Sequence, residues 1–400
     1  MKSLTHYGVE DLQNLLDAMS RLGQDILTGE IVEDIHSVNK KDLRKFKMKE
    51  ACTMINRSDA FLRKLEQSNP DEYTPEKINT VRYYTLEMIN RIRDKAGTRN
   101  KRPDGSDPII LAISNFKGGV GKSITSKSLT DKLALSGFRV LSVGLDGQGT
   151  DSLYYGVIPD IDISPDETIR PALLEDPRKI KNLIRKTYID GVDIIPGNLS
   201  LTDAEIRLTD YREQMKQSKK LGFPDERLSN ALQYVSKDYD VIILDCGPNL
   251  NMLTLNAINA CNSILIPVPP AAPDVASYFT YCKTLVSHLE STGKNKSLDF
   301  FRVLITKHPR NKTADNISRM MVKEFGSYVM LKHIVYSAEI DKAASQFCSI
   351  YELTPSSKST YKRAIESVDN AFSEIVDAFE IIWESQINEI QSELTYEKEQ

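Results

Sequence analysis

Cysteine is scarce and irregularly placed: the five residues are odd in number, scattered, and never spaced as Cys-x-x-Cys. That excludes a disulfide framework or a zinc module and suits a reducing, cytoplasmic setting. No basic patch followed by an apolar run stands near the start, so no signal peptide is expected. The longest apolar runs, near 264–273, are far too short to span a bilayer, and no membrane association is expected. Internal repeats and low-complexity tracts are absent as well. What remains is an ordinary globular composition over 400 residues, enough chain for about two domains and an extra arm.

The net charge of −4 hides basic islands. Residues 37–64 carry nine basic and three acidic side chains, and 81–102 carry seven and two. Such islands in an otherwise acidic chain suit a nucleic-acid footprint or, equally, a solvated helix face.

Residues 8–28 place Val9, Leu12, Leu15, Leu16, Met19, Leu22 and Ile26 at helical spacing. An N-terminal helix within 1–35 would therefore present an apolar face, either to a partner chain as a dimerisation arm or to its own domain. A small helical module follows within 36–97. The polar, Pro- and Gly-containing stretch 98–107 reads as a linker. Beyond it, strand-like runs at 109–114, 139–145, 192–196, 240–245, 263–268 and 301–306 alternate with helical patterns. Near-continuous Val/Ile/Leu runs of that length suit strands buried on both faces. The expected architecture of 108–400 is an α/β, doubly wound, mostly parallel sheet.

The chemistry concentrates after the first of these runs. Asn115-Phe116-Lys117-Gly118-Gly119-Val120-Gly121-Lys122-Ser123-Ile124 sits between a strand and a helix-compatible stretch. Glycines there let backbone N–H groups curl around a phosphate, and the helix N-terminus adds partial positive charge. Lys122 would reach the β/γ-phosphates of ATP or ADP, and the Ser123 hydroxyl would ligate Mg²⁺. Phe116 stands where the strict phosphate-loop pattern has its leading glycine, and a second lysine, Lys117, precedes the loop.

The heptapeptide Lys117–Ser123 resembles the deviant Walker ATPases of the ParA/MinD group. The resemblance implies that Lys117 crosses to the nucleotide of a facing subunit in a homodimer, where a second cation would neutralise charge on the transferring phosphoryl group. Three further segments are similar to that family. Tyr239–Pro248 looks like its Walker B strand, which makes Asp245 the carboxylate holding the Mg²⁺ water shell. Val140–Gly149 resembles its switch strand, Asp-x-Asp-Pro-Gln-Gly, which makes Asp146 the residue that positions the attacking water. Gly144 and Gly147 replace that pattern's first aspartate and its proline. Ile195–Leu199 looks like the family's Pro-x-Asn loop. The segment from Pro267 to Asp274, with Pro269 and Pro270, lies where the family grips adenine and dimerises.

The C-terminal stripe Phe372, Ile375, Val376, Phe379 and Ile382 is backed by Glu374, Asp377, Glu380 and Glu384. An acidic face is repelled by anionic lipid, so this helix is expected to pack on the ATPase domain rather than on a membrane. In the N-terminal module, 46–66 has the cadence of a helix-turn-helix. Ala51, Met54 and Ile55 suit packing of a first helix, Asn56-Arg57 a tight turn, and Ser58 the N-cap of a second. That second helix would bury Phe61, Leu62 and Leu65 and aim Arg57, Asp59, Ala60, Arg63 or Lys64 at the major groove of DNA. Val81–Ile89 resembles the wing and following helix of winged domains, with Arg82 and Tyr83 at the wing tip touching DNA.

A winged helix before such an ATPase resembles the long partition ATPases of plasmids and secondary chromosomes, nearest the RepA proteins of RepABC-type replicons. The resemblance implies a nucleoid-associated ATPase that dimerises on ATP and binds DNA without sequence preference. It implies stimulation by a ParB-like centromere-binding protein, and repression of its own operon through the winged domain. Lys307, Arg310, Lys312 and Lys342 are candidates for the non-specific surface. The alternative is an ATP-sensing repressor with little turnover, which Gly144 and Gly147 keep open.

Overall fold

A computed structural model describes residues 18–19, 41–210, 221–292 and 296–399. The N-terminal apolar stripe falls almost wholly outside the described residues. From Leu43 onward the chain forms one compact unit.

This unit begins with β1 (Phe46–Lys47), α1 (Met48–Ile55), α2 (Asp59–Ser68), the one-turn α3 (Pro70–Tyr73), β2 (Glu76–Ile78), β3 (Val81–Tyr84) and α4 (Leu86–Ala96). Helices α1 and α2 meet at Asn56, whose left-handed φ of 56° makes the tight turn. The Ser58 side chain caps α2 by accepting from the Phe61 N–H. Strands β1, β3 and β2 form a small antiparallel sheet in that order. The β2–β3 hairpin closes on two residues, Asn79 and Thr80, both at positive φ, the geometry that follows strand twist. Two helices across a tight turn followed by a hairpin have the order of elements expected of a winged helix.

That hairpin corrects one placement. Asn79-Thr80 is the tip, while Arg82 and Tyr83 lie within β3, opposite Lys77 and Glu76. A two-residue turn leaves no room for a longer tip loop, and Arg82 instead turns back to pair with Glu66 of α2 at 2.9 Å.

The large sheet runs through β4 (Ile109–Ile113), β5 (Val140–Leu145), β6 (Arg185–Lys186), β7 (Val192–Ile195), β8 (Val241–Cys246), β9 (Ser263–Val268) and β10 (Phe300–Ile305). Its order is β10-β9-β4-β8-β5-β7-β6, parallel throughout except the short edge strand β6. The interposed helices are α5 (Lys122–Ser136), α6 (Thr150–Tyr154), α7 (Arg170–Leu174), α8 (Ile180–Leu183), α9 (Ser200–Thr209), α10 (Arg227–Leu232), α11 (Met252–Ala260) and α12 (Ala272–Thr292). After β10 come α13 (Lys312–Phe325), α14 (Ala338–Ser345) and α15 (Ser359–Glu399). One face of the sheet packs on α7 and α9 to α12, the other on α5 and α15. Phe372, Ile375 and Phe379 of α15 are fully buried there, and the Trp383 indole donates to the Asp107 carbonyl at 3.0 Å. The C-terminal stripe thus covers the large sheet.

The winged helix shares a core with that sheet. Phe46, Ile55, Tyr84 and Ile89 cluster with Ala134, Tyr155, Val192 and Ile194. Arg93 of α4, 3% exposed, fastens the joint. Its guanidinium donates to the Met54 carbonyl at 2.9 Å, the Asn90 Oδ1 at 2.8 Å and the Leu135 carbonyl at the end of α5 at 2.7 Å. Residues 98–107 carry no helix or strand but are tied down: Arg99 donates to the Gly137 carbonyl and the Arg102 N–H to Asp240.

Losing a buried cation with three acceptors strands those acceptors, so Arg93→Ala is expected to lower stability by about 2–4 kcal/mol. Urea unfolding followed by circular dichroism checks this, and an unchanged midpoint would show that the joint does not depend on Arg93.

Candidate functional site

Adjacent parallel strands deliver their C-terminal ends to one point. Ile113 of β4 pairs with Asp245 of β8, and Asp245 pairs on its other side with Gly144 of β5. The glycine-rich loop leaves β4 here and returns as α5. Asn115 spans its base: the Asn115 amide donates to the Pro267 carbonyl at 2.8 Å, and its Oδ1 accepts from the Lys117 N–H at 3.1 Å. Gly119 and Gly121 adopt positive φ, 75° and 97°, and side chains added at Gly118 or Gly119 would meet no atom within 4 Å. The loop therefore faces open space with its backbone, as a phosphate cradle requires.

The two loop lysines differ. Lys122 is 8% exposed, and its ammonium donates to the Lys117 carbonyl at 3.0 Å. Burial pulls its pKa down, opposed by the charges of Asp245, Cys246 and Asp146. Lys117 stands at the lip with 39% of its side chain exposed and pairs with Asp274 at 2.9 Å.

Asp245 is buried at 1% exposure, and its Oδ1 has no hydrogen-bond partner. Burial pushes its carboxyl up to about 7; the charge of Asp146 adds to this, while a hydrogen bond from Ser123 and the charge of Lys122 oppose it. An orphaned buried carboxylate oxygen beside a serine hydroxyl is a donor set that fits Mg²⁺, which takes oxygen ligands and keeps much of its water. Among the described residues no group of three or more His, Cys, Asp or Glu side chains could hold a metal unaided. The missing ligands would come from phosphate and water. Asp146 lies opposite, with its Oδ1 accepting from the Gln148 N–H at 3.0 Å.

A cavity of about 370 Å³ is lined by Gly118, Gly119, Gly121, Lys122, Ser123, Ile124 and Asp146, while Lys117, Val120 and Asp245 lie outside its lining. Pro269, Pro270 and Asp274 lie outside its lining. In their place come Thr306, Lys307 and the segment Ile334–Ser337. Thr306 donates to the Val120 carbonyl at 2.9 Å, and Lys307, at φ 51°, donates to the Gly119 carbonyl at 2.8 Å. The sequence placed Lys307 among DNA contacts; here it touches the phosphate loop. Only the turn of chain after β10, an irregular left-handed residue, carries that information.

In the winged helix, Lys64 is exposed and Arg63 pairs with Asp59 at 2.7 Å. Arg57 donates to the Ala96 carbonyl at 2.9 Å, which fastens the turn before α2 to the end of α4.

A parallel sheet with a glycine-rich loop, an in-loop lysine and a facing strand-end carboxylate defines a P-loop nucleotide-binding protein. A family model described as an AAA domain matches residues 109–296. A putative replication protein A of Sinorhizobium fredii is 30% identical over 365 residues, covering 86% of this chain and 88% of that protein. The chromosome partitioning protein ParA of Myxococcus xanthus is 34% identical over 221 residues, 55% of this chain and 71% of that one. A solved structure described as a partition protein covers 91% of this chain and 98% of its own, with a TM-score of 0.65 at 17% identity, a likeness of fold. The chain belongs to the ParA family of plasmid and chromosome partition ATPases. No helix among the described residues is long and apolar enough to cross a membrane.

The raised Asp245 carboxyl has a pH signature. Because the folded protein favours the neutral acid, this group's contribution to stability is full below the unfolded pKa near 4 and is lost as pH rises through about 7. Thermal denaturation of nucleotide-free protein should therefore show a larger fall in melting temperature between pH 5 and 8 for the wild type than for Asp245→Asn. Parallel curves would contradict the assignment.

Proposed function

We propose that this chain is the ATP-driven switch of a DNA-segregation system. The observation that carries the reading is the division of labour within one loop: Lys122 is buried beside Asp245 and Ser123, while Lys117 stands exposed at the rim. The buried lysine suits the nucleotide of its own subunit. The exposed one, paired with Asp274, suits a phosphate presented by a second copy of this chain.

In this reading ATP and Mg²⁺ bind over Gly118–Ile124, with Ser123 and Asp245 holding the metal and its water. Bound Mg²⁺ supplies charge neutralisation on the phosphates. Lys122 binds and orients the β/γ-phosphates, Asp146 orients the attacking water, and Lys117 adds a cation from the facing subunit. Pro269, Pro270 and Asp274 flank the dimer face rather than the pocket. The ATP dimer binds DNA through exposed cations such as Arg310, Lys312 and Lys342, without reading sequence. A ParB-like partner triggers hydrolysis and release. Operator binding falls to the winged helix, with Arg63 and Lys64 towards the groove, Ser58 ordering the start of α2, and Arg57, Arg82 and Tyr83 bracing it. The shared core with α5 gives a route by which nucleotide state reaches that module. The protein would act in the cytoplasm on the nucleoid.

Single-turnover hydrolysis of ATP with Mg²⁺, with and without plasmid DNA and the ParB-like partner, tests this. Turnover is expected to rise with both present, and Lys122→Ala to cut it by about 100-fold or more. Wild-type protein that binds ATP yet shows no partner-stimulated turnover would instead be an ATP-sensing repressor.

A further inference from the structure

Gly144 lies in the middle of the site, on β5 directly opposite Asp245. It has no positive φ and belongs to a regular strand, so the backbone does not call for glycine. Space does. A Cβ built on Gly144 would stand 2.0 Å from Oδ2, 2.5 Å from Cγ and 2.7 Å from Oδ1 of Asp151. The Asp151 carboxyl therefore fills the volume of a side chain at position 144.

Asp151 is 6% exposed, and its Oδ1, like that of Asp245, has no hydrogen-bond partner. A buried carboxyl with a free oxygen beside a second one is costly unless something cationic completes it. On its far side the carboxyl meets the 196–198 loop, since a Cβ at Gly197 would lie 3.2 Å from Asp151 Oδ1 and 2.9 Å from the Asp146 carbonyl. The neighbouring Ser152 locks this contact. Its hydroxyl donates to the Gly197 carbonyl at 2.7 Å and accepts from the Gly197 N–H at 2.9 Å. Gly147 is held equally closely, with a Cβ there only 2.8 Å from the Thr202 hydroxyl. The glycines of the switch strand thus mark close packing rather than slack.

We propose that Asp151 supplies, from helix α6, the carboxyl that β5 lacks at Gly144, and that it is a positioning residue for the metal end of the nucleotide site, acting through Asp245. This rests on the Mg²⁺–nucleotide reading of that site. A carboxyl carried by α6 follows directly on the loop bearing Asp146, so the metal end and the water-positioning end of the site move as one piece with the Gly197 turn. A bound cation would draw both carboxyls into their charged forms, so two such neighbours favour a divalent cation more than one would.

The test uses Asp151→Asn, Gly144→Asp and the transplant Gly144→Asp/Asp151→Ala, read by melting temperature and by the factor through which Mg²⁺ tightens ATP binding in titration calorimetry. Asp151→Asn keeps the shape and is expected to hold the wild-type melting temperature while cutting the Mg²⁺ factor about tenfold, as for other groups behind a metal ligand. Gly144→Asp alone puts two side chains in one volume and should melt at least about 3 °C lower. The transplant should recover most of both losses. An unchanged Mg²⁺ factor in Asp151→Asn would reduce Asp151 to a packing residue. A transplant no more stable than Gly144→Asp would refute the shared volume. Absence of partner-stimulated turnover in the wild type would sink the segregation reading alone, because the calorimetric comparison needs binding and no hydrolysis.

Discussion

The structure turns on a carboxylate held where water cannot reach it. Asp245 sits at the end of a central strand, flanked by β4 and β5, with Lys122 and Ser123 above it. Burying that charge is unfavourable, and in the proposed reading a divalent cation and its phosphate partner remove a cost the empty fold carries. The parallel topology makes the arrangement hard to avoid. Strands β4, β8 and β5 run side by side, so the glycine-rich loop, Asp245 and the segment bearing Asp146 all emerge at one edge.

Around this point the molecule couples its parts through short, buried contacts. Arg93 joins the winged helix to the end of the phosphate-loop helix. Ser152 joins the switch segment to the Gly197 turn, and Thr306 joins the strand after the nucleotide pocket to the loop itself. Each replaces a gap that would otherwise let two elements move separately. Helix α5, which takes the Arg93 contact near its C-terminal end, is buried on nearly every side despite its polar sequence. Lys127 within it is 1% exposed and pairs with Asp131 and Glu352, a cluster no amphipathic pattern announces.

Six of the seven large-sheet strands were legible from their Val/Ile/Leu runs, because a strand buried on both faces leaves no polar alternation to confuse. The phosphate loop was legible for a similar reason: glycines and lysines at fixed spacing have few other uses. The helix-turn-helix followed from Asn56 and Ser58, residues whose local chemistry fixes a turn and a cap. What stayed hidden depended on long-range packing. Lys307 reaches the loop only because its backbone turns left-handed after β10. The wing tip moved because two turn residues closed the hairpin early. Gly144 read as a lost carboxylate, and only the fold shows another one standing in its place.

The central claim is that two lysines five positions apart, Lys117 and Lys122, serve two different subunits. Sedimentation equilibrium of wild type and Lys117→Ala with Mg²⁺ and a non-hydrolysable ATP analogue tests it most directly. The account predicts a nucleotide-dependent dimer for the wild type, and a variant that binds the analogue with similar affinity yet stays monomeric. A Lys117→Ala protein that dimerises as the wild type does would contradict it.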